Sequence, residues 1–276
     1  MNIHTPPKTS RRDFLKLSAG AVMAAGLAPG CARFSDAGKG ESGFSFVVIN
    51  DAHFYTPKCP EFYARVKASV LALPEKPELC LFVGDLSDTG SKKELGGMKE
   101  ILDSFHMPWH AVPGNHDYIT QTDRSAYDEV LPKSLNYSFE HRGWRIIALD
   151  TTEGKKADKT KIQPHTFSWV KDNAPKLNAK QPTILFTHFP LGPTAPHRPV
   201  NSDELLAPLT EFNIAQVFNG HWHAFTEGKI RETVFLTNKC CSISRPNHDK
   251  TKEKGYFVCT AKDGKIQRRF VEVAVS

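Results

Sequence analysis

Apolar residues recur along the chain at two spacings, and the switches between them predict the elements. Phe44-Ser45-Phe46-Val47-Val48-Ile49 is β-branched and aromatic and stops at Asn50-Asp51, which predicts a first core strand. From Pro60 to Leu73, Phe62, Val66, Val70 and Leu73 fall at helical spacing with Pro74 behind them, which predicts a covering helix. Leu79 to Val83 is almost uniformly apolar, as a strand covered on both faces must be. Ser91 to Phe105 places Leu95, Met98, Ile101, Leu102 and Phe105 on one helical stripe, and Trp109 to Val112 is a third short strand. The first half therefore reads β-α-β-α-β.

The rhythm then changes. Tyr118 to Leu135 is a long polar loop with room for a short helix, and Asn136–Glu140 and Trp144–Asp150 predict a hairpin turning at Arg142-Gly143. A helix over Pro164–Asn173, a strand over Thr183–Phe186, a helix over Asn201–Phe212 capped by Ser202, and a strand over Ile214–Phe218 follow. Val234–Thr237, Tyr256–Thr260 and Ile266–Val273 are closing strands. No internal repeat is present.

Composition narrows the function classes only slightly. A chain of 276 residues with 39% hydrophobic and 24% charged positions suits one large globular domain, here 44–276. The formal charge is +6, but residues 1–31 hold Lys8, Arg11, Arg12 and Lys16 against Asp13, so the remainder has 32 basic and 29 acidic residues, or +3. That excess points to no specific nucleic-acid partner, and it is smaller than the basic groove a nuclease needs. The six cysteines include no C-x-x-C pair, so neither a zinc ribbon nor a thioredoxin motif is indicated. Cys80 and Cys259 sit inside apolar strands and read as small core residues, whereas Cys240 or Cys241 could pair with Cys59 in an exported protein.

The leader changes the expected compartment. Ser10-Arg11-Arg12-Asp13-Phe14-Leu15-Lys16 followed by the apolar stretch Leu17–Ala28 resembles a twin-arginine signal, which implies the twin-arginine export machinery as a partner and a periplasmic or cell-envelope location. Leu27-Ala28-Pro29-Gly30-Cys31 resembles a lipobox whose Cys31 would carry a lipid anchor, the one membrane contact expected; Leu27 lies one position too far from Cys31, and an ordinary cleaved signal is the equal alternative. Residues 32–43, rich in Gly, Ser and charge, read as a flexible tether.

Candidate chemistry gathers where strands end. Asp51-Ala52-His53, Gly84-Asp85-Leu86-Ser87-Asp88, Gly114-Asn115-His116-Asp117, Thr187-His188 and Gly220-His221-Trp222-His223 each follow an apolar run. Side chains at such ends face the crevice where α/β folds place ligands. Asp51 and His53, and likewise His221 and His223, share a face by period-two spacing, so each pair can point at one ion. Either pair alone is as often structural as functional, and His188 alone is more often structural, but all five blocks together supply the imidazole, carboxylate and neutral oxygen donors that a pair of divalent ions requires. His4, His106, His110, His141, His165, His197 and His248 lack such company and default to surface or core roles.

The five blocks in this order, Asp51 through His223, resemble the calcineurin-like metallophosphoesterase family. The resemblance implies an α/β fold, a four-layer α/β/β/α sandwich of two mixed sheets flanked by helices. It implies two divalent ions (Mn, Fe, Zn or Co), with Asp51, His53 and His223 on the first, Asn115, His188 and His221 on the second, and Asp85 bridging. His116 matches the catalytic histidine and Asp117 the carboxylate that orients it. Asp88 stands where purple acid phosphatases have a tyrosine ligand, which disfavours their redox-active iron site and leaves Asp88 a structural residue.

The expected reaction is in-line attack on phosphorus by a hydroxide bridging the two ions, with His116 assisting departure of the alcohol. The Gly-Asp-x-x-Asp and Gly-Asn-His-Asp variants are most similar to the cyclic-nucleotide and glycerophosphodiester branch, which favours a small phosphodiester substrate. Export disfavours an intracellular signalling nucleotide. A phosphomonoesterase of the same fold is the nearest alternative, and a non-catalytic metal-binding or scaffold protein of the envelope is the alternative of another class. Loops after His188 and Cys241 bring His197, Arg198 and Arg245 as candidate substrate contacts, since a guanidinium can grip a phosphate through two N–H groups. Trp222 is expected to pack outward.

Overall fold

The computed structural model describes residues 43–275, so the leader 1–31 with Cys31, and all of the tether 32–43 except its last residue, lie outside the described residues. Strand β1 (Phe44–Ile49) pairs in parallel with β2 (Leu79–Phe82), and β2 with β3 (Trp109–Ala111). On its other side β1 takes β10 (Gly255–Lys262) antiparallel, followed by β11 (Lys265–Glu272). The second sheet runs β4 (Tyr137–His141), β5 (Trp144–Leu149), β6 (Thr183–Thr187), β7 (Ile214–Asn219), β9 (Thr233–Thr237) and β8 (Thr226–Ile230). Within it β5, β6, β7 and β9 are parallel, and β4 and β8 are antiparallel edges.

Alternation along the strands decides the layers. Phe44, Phe46 and Val48 of β1, Leu79 and Leu81 of β2, Trp144, Ile146 and Ala148 of β5, and Ile184 and Phe186 of β6 all bury themselves in one cluster between the sheets. The intervening Val47, Ile49, Cys80 and Phe82 face outward, where α1 (Cys59–Leu71), α2 (Lys92–Asp103) and α3 (Ser125–Val130) cover them. Ile147, Leu149, Leu185 and Val217 do the same for the second sheet beneath α4 (Pro164–Asn173) and α5 (Ser202–Leu206). Period-two side chains on a strand covered on both faces leave no polar position, which is why these strands read as unbroken apolar runs. The result is the four-layer sandwich.

Two elements differ from the sequence reading. Strand β8 was not anticipated, because Thr226-Glu227-Gly228-Lys229-Ile230 is a polar edge whose pairing depends on β9 alone. The helix expected over Asn201–Phe212 stops at Leu206 and tightens into one 3₁₀ turn, Ala207–Leu209, since Pro208 cannot continue an α-helical ladder. Ser202 is not its cap. Its hydroxyl donates to Pro199 O at 2.8 Å, while the Asn201 side chain holds the Ile162 backbone through bonds of 2.9 and 3.0 Å. By contrast, Ser91 caps α2 by accepting from Glu94 N. The five cysteines among the described residues are buried and free.

Asp150, at the end of β5, is fully buried and accepts from Arg124 at 2.9 Å and His165 at 3.0 Å. Burial pushes its carboxyl up, but His165, Arg124 and Thr152 outweigh burial and hold it below the usual range. A carboxylate depressed on folding stabilises above its unfolded pKa of about 4 and loses that contribution as pH falls through the folded value. Asp150→Asn is therefore expected to be destabilising at pH 7, with the difference from wild type shrinking below about pH 4, read by urea denaturation at both pH values.

Candidate metal centre

Because β1, β2, β3, β6 and β7 all run with their C-terminal ends toward one edge, the five polar turns meet there. The backbone binds them together: Asp51 N donates to Gly84 O at 3.2 Å, His53 N to Asp85 O at 3.0 Å, and Gly220 N to His188 O at 2.9 Å. Asp51, His53, Asp85 and His221 all have left-handed backbones, with φ of 52°, 45°, 52° and 64°. Such strain in non-glycine residues persists only where surroundings over-determine it, and it concentrates at functional sites. Asp51 and His53 fall in one donor group although neither backbone is extended, so alternation along a strand is not what brings them together. Gly114 is needed for close approach, because a Cβ there would stand 2.1 Å from Asp85 Oδ1.

Two donor groups share one carboxylate. Asp51, His53, Asp85 and His223 form one set within metal-ligating distance of each other, and Asp85, His188 and His221 form another. His53 Nε2 lies 3.5 Å from Asp85 Oδ2 and 3.2 Å from His223 Nε2. His188 Nε2 lies 3.5 Å from Asp85 Oδ1. Asn115 Oδ1 joins the second set at 3.1 Å from both His188 Nε2 and His221 Nδ1.

The outer nitrogens test whether these residues suit metal ions. His188 Nδ1 faces Val83 O at 3.0 Å, His223 Nδ1 faces Pro246 O at 3.2 Å, His221 Nε2 faces Ala157 O at 2.8 Å, and His53 Nδ1 faces the Asp88 carboxylate at 3.1 Å. Each imidazole thus spends one nitrogen on an outer acceptor and turns the other to the centre, the arrangement that fixes the tautomer of metal-binding histidines. Burial pushes His221 down to about 3, with His188 beside it acting in the same direction, whereas at His223 the Asp51 carboxylate outweighs burial and raises the imidazole. At Asp51 burial raises the carboxyl, but His223, His188 and His53 outweigh it and hold it low. The donor sets fit bound metal.

His116 sits at the rim with its N–H on Asp85 Oδ1 at 2.8 Å and its ring Nδ1 on Asp88 O at 2.7 Å. Asp117 does not orient that ring as expected. Its carboxylate instead accepts from Gly114 N at 2.9 Å, Ser87 N at 2.8 Å, Ser87 Oγ at 2.9 Å and Leu86 N at 3.2 Å, tying two of the turns to each other. Burial and the Asp85 charge raise Asp117 to about 6 against these bonds.

Asp88 takes a larger part than the structural role expected of it. Its Oδ1 faces His53 Nδ1 and also accepts from Arg245 Nε at 2.7 Å and Nη2 at 2.5 Å, while its backbone carbonyl holds the His116 ring. Burial opposes its charge, but His53 and Arg245 prevail and hold it well below the ordinary carboxylate range.

A cavity of about 280 Å³ opens onto the centre, lined by His53, Asp85, Asn115, His116, Ala157, His197, His221, His223, Arg245, Pro246 and His248. Of the three substrate candidates, Arg245 and His197 line it. Arg198 does not: it is spent on Leu191 O at 2.7 Å and Asp203 at 2.5 Å. His248 was missed by the sequence reading. Its ring stacks on that of His223 at 4.8 Å and 3°, and its Nδ1 accepts from His223 N at 3.3 Å. It lies in a loop with no metal-ligand spacing, so only its seat beside His223 marks it. Trp222 is half-buried between the His197 and His248 rings, at 5.5 and 4.4 Å.

Residues 44–225 match the model of the calcineurin-like phosphoesterase domain. The chain belongs to this family, and with phosphodiesterase-named relatives it is a metal-dependent phosphoric ester hydrolase. Among its relatives, the phosphoesterase is 25% identical over 210 residues to the glycerophosphodiester phosphodiesterase GpdQ of Enterobacter lignolyticus, covering 67% of this chain and 73% of that one. It is 27% identical over 135 residues to a probable cyclic nucleotide phosphodiesterase of Synechococcus, covering 49% of each. The fold is shared with a purple acid phosphatase from Lupinus luteus (TM-score 0.62, 12% identity, 83% of this chain and 52% of that one). It is shared equally with GAP50, described as the anchor in the inner membrane complex of Plasmodium (TM-score 0.59, 15% identity, 83% and 84%).

Asp85→Ala is expected to abolish tight Mn²⁺ or Zn²⁺ binding by the phosphoesterase, because both donor sets lose their common carboxylate. Asp88→Asn, which loosens the outer partner of His53 and the hold on Arg245 but leaves both donor sets in place, should weaken affinity about 10- to 100-fold, read by calorimetric titration of metal-stripped protein.

Proposed function

We propose that the chain is an exported phosphodiesterase that uses two divalent ions to hydrolyse a small phosphodiester. The observation that carries this reading is the pair of donor sets joined at Asp85, each imidazole turned inward by an outer acceptor. The relatives named as glycerophosphodiester and cyclic nucleotide phosphodiesterases support the diester. Likeness to both a phosphatase and an anchor protein means that the fold alone favours neither catalysis nor scaffolding; the full donor set and His116 favour catalysis.

Asp51, His53 and His223 would hold one ion, Asn115, His188 and His221 the other, and Asp85 both. Bound there, the ions supply Lewis acidity toward the phosphoryl oxygens and lower the pKa of water. The chain's own residues supply the rest. His116 Nδ1 faces the Asp88 carbonyl and so carries a proton; in the imidazolium form a second proton on Nε2 can pass to the departing alkoxide oxygen. Arg245, on the cavity wall, offers N–H groups to a non-bridging phosphate oxygen once it shares itself between Asp88 and substrate.

His116→Ala should leave metal content unchanged and lower kcat on an aryl phosphodiester by about 10²- to 10⁴-fold, measured on protein expressed from residue 32 and loaded with Mn, Fe, Zn or Co. A preference for the aryl monoester overturns the diester assignment, and inactivity on both esters with every metal leaves the scaffold reading in its place.

Export rests on Arg11-Arg12 and the apolar stretch after them, with either an ordinary cleaved signal or a lipid anchor at Cys31. Replacing Arg11 and Arg12 by Lys should retain the full chain in the cytoplasm, seen by cell fractionation. Unchanged export of that variant rejects the twin-arginine route.

A further inference from the structure

Behind the cavity wall lies a buried cation that the reaction above does not use. Lys254 is 7% exposed and lies just before β10. Its ammonium donates to Arg245 O at 2.6 Å, Cys240 Sγ at 3.1 Å and Asn247 Oδ1 at 3.4 Å. An ammonium has three N–H donors, and here each finds an acceptor. Burying a lysine is unfavourable unless such partners exist, so an apolar residue would be the more stable choice if this position only filled space.

All three acceptors belong to residues 240–247, the segment that builds one side of the site. It brings Arg245 to the cavity, sets the Pro246 carbonyl on His223 Nδ1, and leads to His248 against the His223 ring. The carbonyls of Arg245 and Pro246 are consecutive and serve opposite sides, one the ammonium and the other the metal-facing histidine. Asn247 closes the segment from within, its Oδ1 accepting from Cys240 N at 3.0 Å and its Nδ2 donating to Glu253 O at 2.8 Å. Lys254 is itself fixed to the sheet, since its carbonyl accepts from Val273 N at 2.8 Å and the next residue opens β10 beside β1.

We infer that Lys254 is a positioning residue for the substrate and His223 side of the centre, hanging the Arg245–His248 loop on the first sheet through one ammonium. The inference rests on the phosphodiesterase reading for its kinetic consequence but not for its metal-binding one. It acts through Arg245 and Pro246 and touches no reacting atom.

The test uses the chain from residue 32 with Lys254→Met, which keeps the stem and removes all three donors. Val273→Ala serves as the control, because it loosens the same strand end without entering the loop. Lys254→Met should raise KM for an aryl phosphodiester about tenfold with a smaller change in kcat, and weaken Mn²⁺ affinity about tenfold, in line with the loss of an outer partner of a metal-binding histidine. Val273→Ala should lower Tm and move neither. If Lys254→Met does not fold, Lys254→Gln, whose shorter amide keeps two N–H donors and loses the third, is read in the same assays and should shift both quantities in the same direction by a smaller factor. Unchanged KM and Mn²⁺ affinity in a folded Lys254 variant overturns the inference, as does an equal shift in Val273→Ala. If the wild type hydrolyses neither ester, the functional reading fails and the Mn²⁺ titration alone decides the role of Lys254.

Discussion

A single buried carboxylate, Asp85, ties the two halves of this molecule to one another. One oxygen accepts the His116 N–H at 2.8 Å and stands 3.5 Å from His188 Nε2, and the other stands 3.5 Å from His53 Nε2. His53 and His116 come from the first sheet's strand ends and His188 from the second's. A charge taken out of water is tolerable only when it is paired, so this carboxylate obliges the ends of β1, β2, β3 and β6 to converge. The glycine at 114 and the left-handed backbones at Asp51, His53 and Asp85 follow from that crowding.

Around that centre the residues form two rings of constraint. The inner ring presents nitrogen and oxygen donors; the outer ring, made of carbonyls from Val83, Ala157 and Pro246 and the carboxylate of Asp88, fixes which nitrogen each imidazole presents. The outer ring comes mostly from loops, which lets it differ without disturbing the strands. The cavity above the inner ring is walled by Ala157, His197, Arg245, Pro246 and His248.

Asp88 and Asp117 exchange roles relative to their sequence positions. Asp117 adjoins His116 yet spends its oxygens on Gly114, Leu86 and Ser87, whereas Asp88, 28 residues earlier, holds the His116 ring through its carbonyl. Adjacency in a tight turn sends neighbouring side chains apart, so the carboxylate next to a histidine in sequence is poorly placed to grip its ring.

By itself the sequence showed strands covered on both faces and five polar turns at their ends, while the four-layer stacking and the sharing of donors around Asp85 were expected from resemblance to the family. Unbroken apolar runs such as Leu79–Val83 require cover on both faces, and five polar turns behind such runs require a common edge, because parallel strands end together. It could not determine the polar edge strand β8, the helix end at Pro208, the idle Arg198, or the seats of His248 and Lys254. Those depend on which loop carbonyls and rings meet after the sheets stack. Contacts between residues far apart in the chain leave no periodicity and no spacing behind, so only the tertiary structure decides them.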